Sequence, residues 1–480
     1  MKKLLFVYFV LIQLSVTLAQ FHKGADMAIL NVSVVDVEEG AIQPGMDIVI
    51  KGDKIAEVVE TGSKAIEASV QVDGTGQYLI PGLWDMHAHP DDPEMWRMKP
   101  NEEGRDLLMP LFVLHGVTGI RDMAGSLDVV NSWREKMANG TLLGPTIFAA
   151  GPLIDGPNPM WDGSIGIPST AKVKSKVDSL IEAGVDFLKV YSLLPDSIYF
   201  ALSEYASSKN VPFCGHVPQT VTNLEASRSG ICSLEHLLDI PLECSSEEAN
   251  IRNGTVDYGG IEDRLARYVF RTKLMVETYD PQKAQRLYSE FVKNKTWHTP
   301  TISMWYKNAY FESEEEKDRA YFKYLPGYMR RYWTPQENDH LRYRQKTFLE
   351  AKQLLVDHYM RIIKEMHDAG VQLLAGTDTG ANPLCWPGLG VHLEIAMFEE
   401  AGLSPAEALK TATINPAIYL GIEDEYGSIS PGKFADMVLL EANPLETVSN
   451  TKEIAGVIKN GGYYSKRRIA EFMEAIAERQ

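Results

Sequence analysis

The chain has 480 residues, a formal charge of −18, 45% hydrophobic and 23% charged residues, and four cysteines. That length exceeds one ordinary domain and excludes a small disulfide-stapled fold, since a core this large needs no cross-links. The acidic balance argues against nucleic acid and anionic membrane surfaces as partners, because both are negatively charged.

The first 19 residues carry Lys2 and Lys3, an apolar run from Leu4 to Leu14, and the small residues Ser15, Thr17 and Ala19. This reads as a secretory leader with cleavage after Ala19, too short in its apolar part for a membrane span. The expected destination is the periplasm or the exterior, with no membrane attachment after cleavage. Cys214 and Cys232 stand in apolar, strand-like segments and read as buried free thiols, while Cys244 and Cys385 stay undecided.

Residues 27–80 contain the short strand-like runs MAILNVSVVD, DIVIKGDKIAEVVE and VQVDGTGQYLIPG, separated by turn residues. From 81 to 425 the pattern changes to short apolar runs alternating with helical stretches, which implies a parallel sheet covered by helices. GLWDMHAH, GVTGIRDM, GPTIFAAG, VDFLKVYS, VPFCGHV, ICSLEHL, WHTPTI and VQLLAGTD supply eight strands, the number a closed (β/α)8 barrel requires. Residues 241–360 exceed the usual spacing of such units and read as an insertion at the barrel mouth, a lid or else a peripheral packing or subunit contact. Residues 426–465 return to β character and are expected to join 20–80 in a small β-sandwich built from both chain ends. Residues 466–480 read as a terminal helix.

Chemistry concentrates at strand ends. His87 and His89 are two apart in a strand, so their imidazoles share a face about 6–7 Å apart at the Cα level. Lys189, His216, His236 and Asp378 each stand at or near the C-terminal end of a short apolar run. In a barrel those ends form one rim, where catalysis takes place. Tyr191 shares the inward face of Lys189 and reads either as a substrate contact or as core packing. Arg121 and Asp122 end the second strand and read first as an ion pair at the rim.

The segments YLIPGLWDMHAHP, GVTGIRDM, FLKVYS, GHV, LEHLL, LLAGTDTG, ALKTATINPAIYLG and GSISPGKFADMVLLEANPL, in that order, resemble the imidazolonepropionase-like and prolidase-like branch of the amidohydrolase superfamily. The resemblance covers about residues 27–465 and leaves the insertion largely uncovered. It implies a TIM barrel in which His87, His89 and Asp378 hold one divalent cation, zinc first. A second cation would be held by His216 and His236, bridged through Lys189 carboxylated on its ε-nitrogen. Asp378 would act as general base, with His236 helping to polarise the substrate carbonyl. Tyr191 and His392 match family positions that contact substrate, although His392 could equally cap a helix. Where prolidase-like relatives carry Gly-Gly-His after the third strand, Trp161 and Asp162 stand instead.

The implied activity is hydrolysis of a non-protein C–N bond (amide, cyclic amide or dipeptide-like) in a small molecule. An ester, lactone or phosphotriester hydrolase on the same metals is the alternative, followed by an exported metal-binding protein without turnover. A homo-oligomer is left open.

Overall fold

A computed structural model describes residues 26–479, so the expected leader lies outside the described residues. Five strands open the chain: β1 (Met27–Asp36), β2 (Ala41–Lys51), β3 (Lys54–Glu60), β4 (Val70–Asp73) and β5 (Tyr78–Pro81). Nine follow: β6 (Leu83–Ala88), β7 (Val117–Asp122), β8 (Thr146–Ala149), β9 (Ile154–Asp155), β10 (Ile165–Gly166), β11 (Leu188–Val190), β12 (Phe213–Gly215), β13 (Ser233–Glu235) and β14 (Trp297–Thr299). Three close the chain: β15 (Met437–Leu440), β16 (Ile454–Lys459) and β17 (Gly462–Ser465).

The strands from the two ends form one eight-stranded sheet in the order β17-β16-β15-β5-β1-β2-β3, with β4 on β1. Strand β5 is the seam, pairing antiparallel to β15 (Val438 opposite Ile80) and parallel to β1 (Val34 opposite Leu79). Ile29, Val34, Ile48, Leu79, Met437, Leu439 and Ile458 bury together on it. A sandwich was expected here; among the described residues these strands belong to a single sheet.

The middle of the chain forms two parallel sheets, β6-β7-β8 and β10-β9-β11-β12-β13-β14. Every residue of β6, β7, β11, β12 and β13 is buried, as expected for strands covered on both faces. The eighth expected strand, residues 371–379, lies between β14 and β6 as isolated bridges, Leu373 to His298 and Thr379 to Ala88, with backbone hydrogen bonds such as Leu374 N to His298 O and Met86 N to Ala375 O, and not as a regular ladder. The Asp85 carboxylate takes the Thr377 amide at 3.0 Å, and Asp378 adopts a left-handed φ of 55°, which turns the chain out of the ladder.

Helices alternate with these strands and carry their own stop signals. Thr222 and Glu225 form a capping box at Asn223–Arg228, and Gly184 ends Val173–Ala183 with φ 87°. Helix Lys466–Glu478 closes the chain. No described helix is long and apolar enough to cross a membrane.

The expected insertion is mostly helical, and its later part straddles the site. The Tyr332 hydroxyl donates to Glu94 Oε2 at 2.7 Å, tying it to the loop after β6. Trp333 Nε1 donates to the Gly380 carbonyl at 3.0 Å and Asn338 Nδ2 to that of Ala381 at 2.8 Å, tying it to the loop after Asp378. All four cysteines are free thiols.

Candidate metal centre and active site

The His-x-His pair sits where β6 ends. His89 is fixed by its amide, which donates to the Thr379 carbonyl at 2.8 Å. The Asp378 amide likewise donates to the His87 carbonyl at 2.7 Å, so the backbone itself brings Asp378 to the histidines. His87 Nε2, His89 Nε2 and an Asp378 carboxylate oxygen lie within 4.8 Å of one another, a group of ligand atoms able to hold a metal ion. The separations are 3.1 Å between the two Nε2 atoms, and 3.4 and 3.3 Å from them to Asp378 Oδ1.

The tautomer of His87 follows from its other nitrogen. Nδ1 lies 2.7 Å from Glu235 Oε2, and a carboxylate there accepts the Nδ1 proton. Nε2 is left with its lone pair aimed at His89 and Asp378, the state a metal ligand needs. Asp378 is oriented in the same way, since Asn382 Nδ2 donates to its Oδ2 at 2.7 Å.

His236 and His216 extend the cluster. The His236 ring centroid is 4.4 Å from that of His87 and 4.9 Å from that of His216. His236 Nδ1 meets Thr301 Oγ1 at 2.8 Å and His216 Nδ1 meets Ser192 Oγ at 3.1 Å. Glu235 and His236 are neighbours yet serve the same site, because φ 64° at His236 breaks the strand alternation that would send them to opposite faces. Tyr191 stacks on His216 at 4.3 Å, and its oxygen accepts from Trp161 Nε1 at 3.0 Å.

Lys189 is 1% exposed and its Nζ has no hydrogen-bond partner. Its stem lies over Gly215, where an added Cβ would fall 2.8 Å from Lys189 Cδ. Burial lowers its pKa below the usual lysine range. A buried amine with nothing to bind leaves room for one further group, so the donor set fits a divalent cation. His87, His89 and Asp378 are the group that could hold it, with His236, His216 and Lys189 in the same cluster.

Electrostatics separates these groups. Burial raises the proton affinity of Asp378, but the His236 and His89 imidazoles and Lys189 outweigh it and hold the carboxyl well below its ordinary range. Burial pushes His236 down to about 4 and drives His87 and His216 well below the usual imidazole value. His87, His216 and His236 are therefore neutral near pH 7, whereas at His89 burial is outweighed by the Asp378 and Asp92 carboxylates, which raise its pKa. Against the wall, burial and then the neighbouring Asp92 push Glu94 up to about 8.

A cavity of about 200 Å³ opens over the cluster, lined among others by His89, Lys189, His216, His236 and Asp378. Its outer wall comes from the insertion: Met304, Trp305, Asn308, His340 and Lys352.

Two expected roles are corrected. His392 is fully buried in helix Leu389–Ala401, its Nδ1 2.8 Å from Thr451 Oγ1 and its Nε2 2.9 Å from the His115 carbonyl. Both nitrogens are committed to Thr451 and the His115 carbonyl, so His392 packs a helix and is not among the residues that line the cavity. Arg121 forms no rim pair with Asp122. It is fully buried and pairs with Glu235 at 2.9 Å, while also donating to Ser233, Thr299, Tyr419 and the Met86 carbonyl. Asp122, whose Oδ2 has no partner, is pushed by burial to about 7.

Glu235 and Asn382 escaped the sequence reading. Glu235 stands inside LEHLL beside the noticed histidine, but a strand's alternation hides it. Asn382 follows Asp378 by four residues in a loop with no periodic signal.

Residues 78–462 match the amidohydrolase family. The chain belongs to that family. A probable imidazolonepropionase of Nematostella vectensis is 39% identical over 111 residues, 22% of this chain and 25% of that protein. An ochratoxinase of Aspergillus niger is 33% identical over 114 residues, 23% of this chain and 22% of that one. The matched stretches thus span about a quarter of these curated relatives. Among solved structures, a putative prolidase from Bifidobacterium longum superposes with a TM-score of 0.65 at 22% identity, covering 94% of this chain and 99% of that one. A bottromycin amidohydrolase gives 0.72 at 22% identity over 96% and 92%. Family and structural likeness imply a TIM barrel.

Proposed function

We propose that the protein is a metal-dependent amidohydrolase that cleaves a non-protein C–N bond in a small molecule. The observation that carries this reading is the convergence of His87, His89 and Asp378 within 4.8 Å, with His89 and Asp378 lining a cavity. The two parallel sheets and residues 371–379 are read as arcs of one closed eight-stranded barrel whose strand ends frame that cavity. Residues 26–80 and 426–465 make its companion domain. The leader-like residues 1–19 support export to the periplasm or the exterior.

His87, His89 and Asp378 would hold a divalent cation, zinc by the nitrogen-and-carboxylate character of these ligands, and when bound it would supply a water acidic enough to act near neutral pH and a Lewis acid for a carbonyl. Lys189, if carboxylated by CO2 on Nζ, would extend the set toward His216 and His236 for a second ion. Glu235 holds the His87 proton at Nδ1. Asp378, ionised and fixed by Asn382, receives the proton from water and delivers it to the leaving nitrogen. His236 faces the substrate carbonyl. Trp161, Tyr191 and Trp305 exclude water around the scissile bond.

The test is metal analysis of purified protein together with turnover of paired amide and ester substrates before and after chelation. Amide hydrolysis lost on chelation and restored by zinc is the expected result. Cleavage of esters alone removes the C–N assignment, and unimpaired turnover in metal-free protein removes the metal.

A further inference from the structure

The turn that begins at Asp378 has two halves with different anchors. The barrel holds the first half: the Asp378 amide donates to the His87 carbonyl at 2.7 Å, and the Thr379 carbonyl accepts the His89 amide at 2.8 Å. The second half, residues 380–382, bends away at Gly380, whose φ is 135°. Its carbonyls face the insertion. Gly380 accepts from Trp333 Nε1 at 3.0 Å, and Ala381 accepts from Asn338 Nδ2 at 2.8 Å. The loop after β6 adds one longer bond, from the Ala381 amide to Asp92 Oδ2 at 3.3 Å.

Both insertion residues are enclosed. Asn338 is fully buried, and Trp333 packs edge-on against Trp386 with ring centroids 5.2 Å apart. Trp386 lies further along the same segment and is itself fastened to the insertion. Its Nε1 donates to Asp318 Oδ2 at 2.6 Å, an oxygen that Lys307 also binds at 2.6 Å. A buried carbonyl that loses its donor costs free energy, so residues 380–382 keep this shape while the insertion is seated on them.

The effect reaches the candidate metal centre through Asn382, the residue after the second clamped carbonyl. Asn382 Nδ2 donates to Asp378 Oδ2 at 2.7 Å. The other carboxylate oxygen, Oδ1, is the one 3.4 and 3.3 Å from the Nε2 atoms of His87 and His89. Holding one oxygen thus aims the other at the imidazoles. We propose that Trp333 and Asn338 are positioning residues: they keep Asn382 on Asp378, so the insertion completes the ligand group when it is seated and loosens it when it lifts. Neither residue is among those that line the cavity. The effect on metal rests on the metal-dependent reading, whereas the hold on the turn belongs to the protein alone.

Two substitutions each remove one donor. Trp333→Phe keeps an aromatic ring without the N–H, and Asn338→Asp keeps the oxygen that accepts the His340 amide at 2.9 Å. Arg331→Met is the control, since Arg331 Nη2 also fastens the insertion, at 3.2 Å, but to the Met98 carbonyl. Two quantities are read on the whole protein. Amide exchange by mass spectrometry compares residues 378–386 with strand β7 in metal-free protein, and competition with a chromogenic chelator gives the zinc affinity. Loss of one buried hydrogen bond predicts, in either variant, exchange on the order of 10-fold faster in 378–386 alone and zinc binding on the order of 10-fold weaker. Arg331→Met should change neither. In Asn382→Ala the connection is already cut, so adding Trp333→Phe should weaken zinc no further, whereas a merely structural contact would add its full effect. Exchange in 378–386 that stays at the wild-type rate, exchange that rises equally in β7, or an additive loss of zinc affinity overturns the proposal. Wild type that binds no zinc counts against the metal-dependent reading, while the exchange measurement still decides whether the insertion holds the turn.

Discussion

Glu235 Oε2 stands 2.7 Å from His87 Nδ1, and the same carboxylate is gripped by Arg121 at 2.9 Å. All three side chains are fully buried. One carboxylate thus neutralises a guanidinium inside the core and sets the proton of an imidazole in the candidate metal centre. Glu235→Gln should strip both functions. Metal affinity should fall about 10- to 100-fold, as for other partners behind a ligating histidine. Stability should drop by about 3–5 kcal/mol, because Arg121 is left buried without its charge partner. Competition with a chromogenic chelator and denaturant unfolding measure the two effects.

Asp378→Asn keeps the shape of the side chain and removes its charge. Turnover should fall on the order of 10²- to 10⁴-fold, the range for loss of a proton-transferring group. Asn382 still finds an oxygen to donate to, so the fold should persist. Circular dichroism beside kcat separates the two outcomes.

Chelation should destabilise the protein without denaturing it, because the histidine cluster rests on strands that bury their side chains independently of metal. With free cation about 100-fold above its Kd, metal contributes about 2.7 kcal/mol by mass action. Tm should therefore rise with zinc concentration. His89→Ala should show a flat response over the same titration.

Gly215 lies under Lys189. A Cβ there would stand 2.3 Å from the Val190 carbonyl oxygen and 2.8 Å from Lys189 Cδ, at a φ of 135° that L side chains avoid. Gly215→Ala should cost about 1–3 kcal/mol through overpacking, with added backbone strain. It should also push Lys189 out of place, so activity should fall further than the loss of folded protein explains. Thermal unfolding and specific activity per folded molecule provide the comparison.

Glu394 is fully buried at the start of helix Ile302–Ala309, where its oxygens accept the amides of Ile302 at 3.0 Å and Ser303 at 2.7 Å. Burial nevertheless raises its carboxyl from 4.5 to about 8. A folded-state value above the unfolded one means that the native protein holds the proton more tightly. The resulting stabilisation is fully present below about pH 4.5 and is lost as pH rises toward 8. Glu394→Gln removes that dependence, so its Tm should gain on wild type across this window. Parallel curves would show that Glu394 ionises at no cost.

The legible part of the site was the part written in strand ends. His87, His89, His216, His236 and Lys189 stand beside apolar runs whose period says which residues share a face, and Asp378 closes VQLLAGTD. What aims them was not legible. Glu235 acts from the position before His236 only because a left-handed residue breaks the alternation. His392 lies in a helix whose facing toward Thr451 depends on packing between distant segments. Beside the irregular eighth strand the Asp85 carboxylate takes the Thr377 amide and hydroxyl, a contact across 292 positions that no local pattern records.

The seam at β5 has a consequence for how the molecule comes into being. Its partner on one side, β15, begins at Met437, more than 350 residues after β5 ends at Pro81. During synthesis the N-terminal strands emerge early with one edge of β5 unpaired, and that edge waits for nearly the whole polypeptide. Contacts so distant in sequence form slowly, and an open strand edge invites pairing with other chains. A polypeptide cut short before Met437 would be left with a sticky border, prone to aggregate even though every residue of the His87–His89–Asp378 group had already been made.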